Sequence, residues 1–464
     1  MTNRLITRLR SAAYAMRGGF LVRPLVICLA LGLAGAVLSS LEEALPDLAA
    51  WVPTTLFPSR ADPQVAQVVL AAIAGSIMTV VSIVFAMLLM TLTLASMQFS
   101  PRILVSFVKD RVTQWTLGVF LGTFAYCVAA LPAARFLPHP FAPVVAVTGA
   151  MLLALICVVW LIFFIQHISQ AIGVNHIVDR IARETESVID DIMPDPQSYL
   201  YDSVGVPFDS DEQEATVANA ISGYIRYVDT EQLLRLAKTL KLRARMLRRV
   251  GQFVPAGVPL LAVAPAKRLD TQGADALRAA FDIGPARTLQ QDVEFGVIQI
   301  VDVALKAISP AVNDPSTAIT CIDQLTRILI RFAGRKPPVS LICDPPHIVR
   351  VIVPWLDMAG LLDTAFEQIR HYASADAAVS LRLLRALDDI AATCVDARLI
   401  EPLVARGRRI AAGCAAHLDP DRRALLDQRL SALEARLAPH PAAPGAPAHA
   451  AGGAPAAQSS ALRR

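Results

Sequence analysis

The sequence is poor in charge and in aromatic rings. Only 18% of its residues are Asp, Glu, Lys or Arg, and 6% are Phe, Trp or Tyr, whereas an ordinary soluble domain is about 25% charged. Neither sign of charge dominates. The net charge of +4 is too weak for a nucleic-acid-binding face. Paired cysteine motifs are lacking as well. The seven cysteines, Cys28, Cys127, Cys157, Cys321, Cys343, Cys394 and Cys414, contain no CxxC. Their spacing excludes a disulfide framework or a zinc site and fits free thiols in a reducing compartment around the C-terminal half. G-x-S-x-G, the P-loop, G-x-G-x-x-G and H-E-x-x-H are all missing, and the eight histidines are scattered. No familiar catalytic motif supports an enzyme.

What the chain has in excess is apolar. Hydrophobic residues make up 55% and the mean hydropathy is +0.50, which excludes a wholly soluble enzyme, a disordered chain and a collagen-like fibre. A helix needs about 20 apolar residues to cross ~30 Å of hydrocarbon. Four uncharged stretches qualify: Pro24 to Leu41, Val65 to Met97, Val112 to Ala134 and Ala142 to Ile165. The first reads as an uncleaved anchor, because Leu-Ser-Ser-Leu-Glu-Glu after it is a poor cleavage site. Basic and base-poor flanks alternate. Arg4, Arg8, Arg10, Arg17 and Arg23 precede the first stretch, Arg60 alone follows it, Arg102, Lys109 and Arg111 follow the second, and Arg135 alone follows the third. The alternation predicts a cytoplasmic N-terminus and, after four spans, a cytoplasmic C-terminus.

The expected fold class is therefore a membrane α-helical domain of four transmembrane helices followed by an α+β cytoplasmic domain. The expected organisation is a basic arm over 1–23, a four-span domain over 24–167, the cytoplasmic domain over 168–437 and a disordered Ala/Pro/Gly tail over 438–464. Within the second span, Gly75, Thr79, Ser82, Ala86, Thr93 and Ser96 recur at spacings that place them on one helical face. Such a face supports close helix packing or, in a homo-oligomer, a pore lining whose hydroxyls meet water. No span holds Asp, Glu, Lys or Arg, which argues against a proton pump or an ion-coupled transporter.

Beyond the spans, residues 166–195 read as one amphipathic helix extending the fourth span, 215–229 as a strand and 230–240 as a short helix. The basic run Lys238, Lys241, Arg243, Arg245, Arg248 and Arg249 reads as a solvated face near an anionic leaflet, with a headgroup or nucleotide contact as the alternative. Gly251 and Gly257 look like the turn of a biotinyl or lipoyl barrel, but Lys267 lacks the Met-Lys-Met flanks of a carrier lysine. A structural turn is expected there. Arg287 opens a predicted central helix through Ile308, with Asp292, Gln299, Asp302 and Lys306 on one stripe. Asn313 and Asp314 end the following turn, and Asp314 with Pro315 forms a helix start running to Phe332. Asp292, Asp302, Asp314 and Asp323 lack metal-ligand spacing. They read as caps and surface carboxylates, and no metal or cofactor is expected. A strand is predicted at 347–354 and helices at 357–372, 376–393, 397–416 and 420–437.

Several of these segments resemble one family. They are Ala-Gly-Ser-Ile-Met-Thr-Val-Val-Ser-Ile-Val-Phe at 74–85, Ala-Ser-Met-Gln-Phe-Ser-Pro-Arg at 95–102, Leu-Gly-Val-Phe-Leu-Gly-Thr-Phe at 117–124, Gln-Gln-Asp-Val-Glu-Phe-Gly at 290–296 and Ile-Ser-Pro-Ala-Val-Asn-Asp-Pro-Ser-Thr-Ala at 308–318. The chain resembles the bacterial predicted membrane proteins of domain of unknown function 2254 over roughly residues 20–435. The resemblance implies a multi-pass inner-membrane protein and no particular activity or active site. The expected function is an oligomeric, channel-like protein with a cytoplasmic assembly or gating domain. The alternatives are a non-conducting scaffold or sensor and, more remotely, a membrane-bound enzyme using the acidic residues from Asp292 to Asp314. The expected partners are the lipid bilayer and further copies of the chain, with no nucleic acid and no identified small-molecule ligand.

Overall fold

The computed structural model describes residues 22–45, 47–48, 52, 62–98, 111–137, 140–171, 173–193, 213–336, 340–344, 348–393, 399–414 and 418–438, with side chains followed to 93 and 169 in the second and fourth long helices. The basic arm to residue 21, the loop of 101–110 and the tail from 439 lie outside these residues. Among the described residues four helices are long and apolar enough to cross a membrane: α1 (Val22–Ala44), α2 (Pro63–Gln98), α3 (Arg111–Ala130) and α4 (Val144–Ala171).

α3 is the central helix of the four. Half of its apolar window is buried, against less than a quarter for each of the others. Small residues make this possible. A side chain at Gly118 or Gly122 of α3 would strike Ile27 or Leu31 of α1, and one at Gly35 of α1 would strike the Tyr126 backbone. The polar residues of α3 are satisfied inside the bundle. The Trp160 indole N–H donates to Thr116 Oγ1 at 2.9 Å, and Thr123 Oγ1 lies 3.3 Å from Cys157 Sγ. At one end the buried Glu42 carboxylate accepts from Val145 N–H at 2.9 Å and Ala146 N–H at 3.3 Å. A carboxylate from α1 thus supplies the acceptors that the first turn of α4 lacks.

The single helix expected over 166–195 is two. α4 ends at Ala171, and Gly173, extended at φ −62° and ψ 123°, caps a new helix α5 (Val174–Ile192). Glycine is a poor helix former, and the change of partner coincides with it. α4 is apolar all round, whereas α5 buries one face, Ile177, Val178, Ile181, Ala182, Thr185, Val188 and Ile189.

The remaining elements are β1 (Ala215–Ala218), β2 (Gly223–Val228), α6 (Thr230–Thr239), β3 (Arg243–Met246), β4 (Phe253–Val254), β5 (Pro259–Ala264), α7 (Thr271–Arg278), β6 (Phe281–Gly284), α8 (Val293–Ala307), α9 (Pro315–Ala333), β7 (Leu341–Asp344), β8 (Ile348–Ile352), α10 (Met358–Tyr372), α11 (Ala377–Thr393), α12 (Ile400–Cys414) and α13 (Pro420–Leu437). A five-stranded sheet has the order β1-β5-β3-β8-β7, with β3 and β8 parallel, and a three-stranded sheet has the order β4-β2-β6. The expected strand over 215–229 is divided between them. Buried Asn219 holds the break, donating to Val254 O at 2.9 Å and to Ile221 O. Elements β3, β6, β7 and α7 were not foreseen from the sequence.

Two apolar cores result. One packs the sheets with α6 around Ile225, Leu233, Leu242, Leu260, Leu261 and Val351. The other is helical and joins α5 to α8–α13 around Val297, Ile300, Ile322, Leu325, Leu362 and Leu387. α8 is central to it, but starts later than expected. Residues 287–292 precede the helix, because Asp292 is its N-cap and accepts from Phe295 N–H at 3.0 Å.

Candidate functional site

Two regions gather the residues singled out by the sequence. The first is the small-residue face of α2. Gly75, Thr79, Ser82, Ala86 and Thr93 are all exposed, while Leu70, Ile77 and Val84 are buried on the side facing the bundle. A side chain at Gly75 would meet nothing within 4 Å. The hydroxyls bond back into their own helix: Thr79 to Gly75 O at 3.1 Å, Ser82 to Met78 O at 3.0 Å and Thr93 to Leu89 O at 2.8 Å. Ser96 belongs to the same helix, with a side chain outside the described residues. The face is interleaved with exposed Met78, Ile83, Leu89 and Met90. The outward faces of α1 and α4 instead carry large residues such as Leu29, Leu33, Leu155, Val159 and Ile162. The stripe is therefore an outer wall of this chain's bundle. The interior is filled by apolar side chains, among them Leu70, Tyr126, Val147 and Ala150 near one end and Val84, Phe120 and Phe164 near the other.

The second region lies at the start of α8, where the two cores meet. Arg287 grips Asp292 through Nε at 2.7 Å and Nη2 at 2.8 Å, and reaches Glu294 at 2.9 Å. Arg249, after β3, donates to the other Glu294 oxygen at 2.9 Å, and Thr364 of α10 approaches it at 3.4 Å. The Arg287 guanidinium also lies 5.5 Å from the centre of the Phe295 ring. Gly251, at φ +88°, makes room, since any side chain there would run into Asp292 and Arg287. Beside the charges, Gln291 accepts from Val228 N–H at 3.0 Å and donates to Val228 O at 3.2 Å. Burial alone would raise the Glu294 carboxyl, but Arg249 and Arg287 outweigh it and hold it below the ordinary carboxylate range. Two acids and two bases neutralise one another here. Chemically the cluster is a clamp between the sheets, α8 and α10, and it leaves no carboxylate free to act as a general base.

The four aspartates do not converge. Asp292 and Asp314 stand at opposite ends of the α8 hairpin arm, which at about 1.5 Å per residue separates them by about 22 Å. Asp302 is half-buried midway along α8, and Asp323 on α9 pairs with Arg382 of α11. Among the described residues no group of three or more His, Cys, Asp or Glu is arranged to hold a metal. Asp314 caps α9, with Oδ1 accepting from Thr317 N–H at 3.1 Å and Oδ2 from the Thr317 hydroxyl at 2.6 Å. The hydroxyl bond is the main reason its carboxyl lies below the usual range. Asn313 occupies the left-handed region at φ +49°, which Asn tolerates better than most residues.

The other sequence features fall elsewhere. Lys267 is exposed on a short turn after β5. Members of the basic run pair within the chain, Lys238 with Asp344, Arg245 with Glu214 and Arg249 with Glu294. Sequence reasoning missed the Glu42 cap, signalled only by two acids closing an uncharged run, and the Arg249 and Arg287 clamp. Arg249 stands 45 residues from Glu294, a separation that no local motif reveals.

Comparison with known proteins agrees with the four apolar helices. The family model described as "Predicted membrane protein (DUF2254)" matches residues 17–389. An uncharacterised protein of Mycobacterium bovis and one of Mycobacterium tuberculosis are each 31% identical to the chain over 402 residues, which is 84% of this chain and 75% of the relative. No solved structure matches.

Proposed function

We propose for this chain, which belongs to the DUF2254 family of predicted membrane proteins, a role as a self-associating, channel-like protein of the bacterial inner membrane. Its N-terminus and its α/β region lie on the cytoplasmic side, and that region assembles or gates the membrane part. The observation that carries this reading is the outward position of Gly75, Thr79, Ser82, Ala86 and Thr93 beside a filled bundle interior. Among the described residues the bundle interior is filled by apolar side chains, which favours a conduit between copies, along the α2 faces. Small residues suit close contact there, and hydroxyls suit water. The alternative is a non-conducting scaffold, favoured by the back-bonded Thr79, Ser82 and Thr93 hydroxyls, which a dry interface would leave satisfied.

The deciding experiment combines the oligomeric state of the detergent-purified protein with cysteine accessibility in vesicles. In a background lacking Cys28, Cys127 and Cys157, cysteines at positions 79, 82 and 93 react with a small polar thiol reagent if the face is wet, and those at 88 and 92 do not. A monomer eliminates the channel, and an oligomer with all five positions protected leaves the scaffold. Reporter fusions at Asp47 and Pro138 test for the outer side and one at Met193 for the cytoplasm.

A further inference from the structure

Where α1 ends beside the start of α4, two adjacent acids stand in unlike settings. Glu43 is half-exposed and pairs with Arg135, which follows α3. Glu42 is 2% exposed, and its partners are backbone groups. Val145 N–H lies 3.0 and 2.9 Å from its two oxygens, and Ala146 N–H lies 3.3 Å from the second. These donors belong to the first turn of α4. Val147 N–H already bonds Pro143 O, but the helix offers the N–H groups before it no acceptor of its own. Burial favours the neutral acid, while the N–H groups and the positive end of α4 favour the carboxylate. A proton on Glu42 turns one acceptor into a donor and removes the charge that the helix end attracts.

The other ties of α1 do not titrate. Ile27 and Leu31 fill the space left by Gly118 and Gly122 of α3, and Gly35 lies against the Tyr126 backbone. A proton on Glu42 therefore acts on the last turns of α1 and the first turn of α4, and it leaves the rest of the bundle packed. The neighbouring groups answer acid differently. Asp47 and Asp62 are exposed, and Glu43 has its own cation. Tyr126, whose hydroxyl donates to Ala146 O at 3.0 Å, and Cys127 ordinarily ionise near about 10 and about 8.5, so both stay neutral in acid. From α4, residues 144–153 include no ionisable side chain. From α2, Gln67 bonds Ala134 O.

We propose that Glu42 is a proton-operated latch: as a carboxylate it ties the end of α1 to the start of α4, and on protonation it lets that corner of the bundle open. The inference rests on the packing of α1 to α4 alone and is independent of conduction, self-association and orientation. The test is hydrogen exchange of the full chain in lipid nanodiscs, read by mass on a peptide covering 143–150. The pH is lowered from neutrality through the ordinary carboxyl range of about 4, with exchange times scaled to the intrinsic rate at each pH. The Val145 and Ala146 amides should be protected at neutral pH and lose that protection in one step in acid. E42Q, which carries no charge, should show weaker protection at every pH and no step. E43Q should keep the step. Constant protection in the parent, or a step that persists in E42Q, would overturn the proposal. A step lost in E43Q would assign it to the Arg135 pair and overturn it equally. Loss of protection in a 115–124 peptide of α3 at the same pH would mean general unfolding and no latch. Should E42Q not fold, E42D, with its charge on a shorter arm, takes its place and should move the step. An unmoved step would overturn the proposal.

Discussion

At Asp314 two carboxylate oxygens act on one neighbour. Oδ1 takes the Thr317 N–H and Oδ2 the Thr317 hydroxyl, so the side chain ends the turn and begins α9 without any external ligand. Replacing it by Ala should lower stability by about 0.5–2 kcal/mol, with Ser or Asn recovering most of the loss. Thermal unfolding of the purified protein measures this. Native stability in Asp314→Asn together with a changed oligomer size would mean that the charge serves assembly instead of the cap. Asn313, beside it, carries the left-handed geometry that closes the turn. Substitution there by a β-branched residue strains the backbone where Gly does not.

Among elements, the α5–α8 crossing depends on Gly296. An added methyl would collide with the Thr185 hydroxyl, which is buried and bonded to Ile181 O at 2.7 Å. Gly296→Ala should destabilise by about 1–3 kcal/mol through overpacking. Thr185→Ala in the same chain should restore part of that loss, measured by chemical denaturation of the single and double variants. Additive losses would place the strain elsewhere. The α5–α9 seam makes a different demand. Asp190 is held below the usual carboxylate range first by the hydrogen bond from Arg331 and then by that from Arg335. Its folded value lies below its unfolded value, so the folded chain binds fewer protons there and acid favours unfolding. The seam is fully stabilising above the ordinary carboxyl range of about 4 and weakens as pH falls below it. Asp190→Asn should flatten the acid limb of a melting-temperature profile, and an unchanged limb would show that the seam contributes nothing to it.

The α/β region is held as one piece by chain crossings and by the clamp. The chain enters the helical core in α5, leaves it for the sheets, returns in α8 and α9, and goes back to the sheets in β7 and β8 before ending in α10–α13. Arg287, Asp292, Glu294 and Arg249 join the two cores at their boundary. Arg287→Met leaves Asp292 buried without its partner and should cost about 3–5 kcal/mol. Calorimetry should show one transition of the α/β region in the parent and a split or broadened one in the variant. A sharp single transition at an unchanged temperature would mean that the chain crossings alone couple the cores.

The sequence by itself determined the four long helices, because an uncharged run of such length satisfies its backbone in hydrocarbon only as a helix. It also determined the helix start at Asp314-Pro315 and the helices near 358–372, 377–393 and 420–437, since caps and apolar periods are local signals. Only the tertiary structure decided which way the α2 stripe faces, since periodicity defines a face and not its neighbour. The division of 215–229 between two sheets and the delayed start of α8 were decided in the same way, by partners distant in the chain. Asn219 reaches Val254, and Gln291 and Asp292 are occupied by Val228 and Arg287. The α5–α9 seam joins residues about 140 apart, and local spacing carries no record of such pairings.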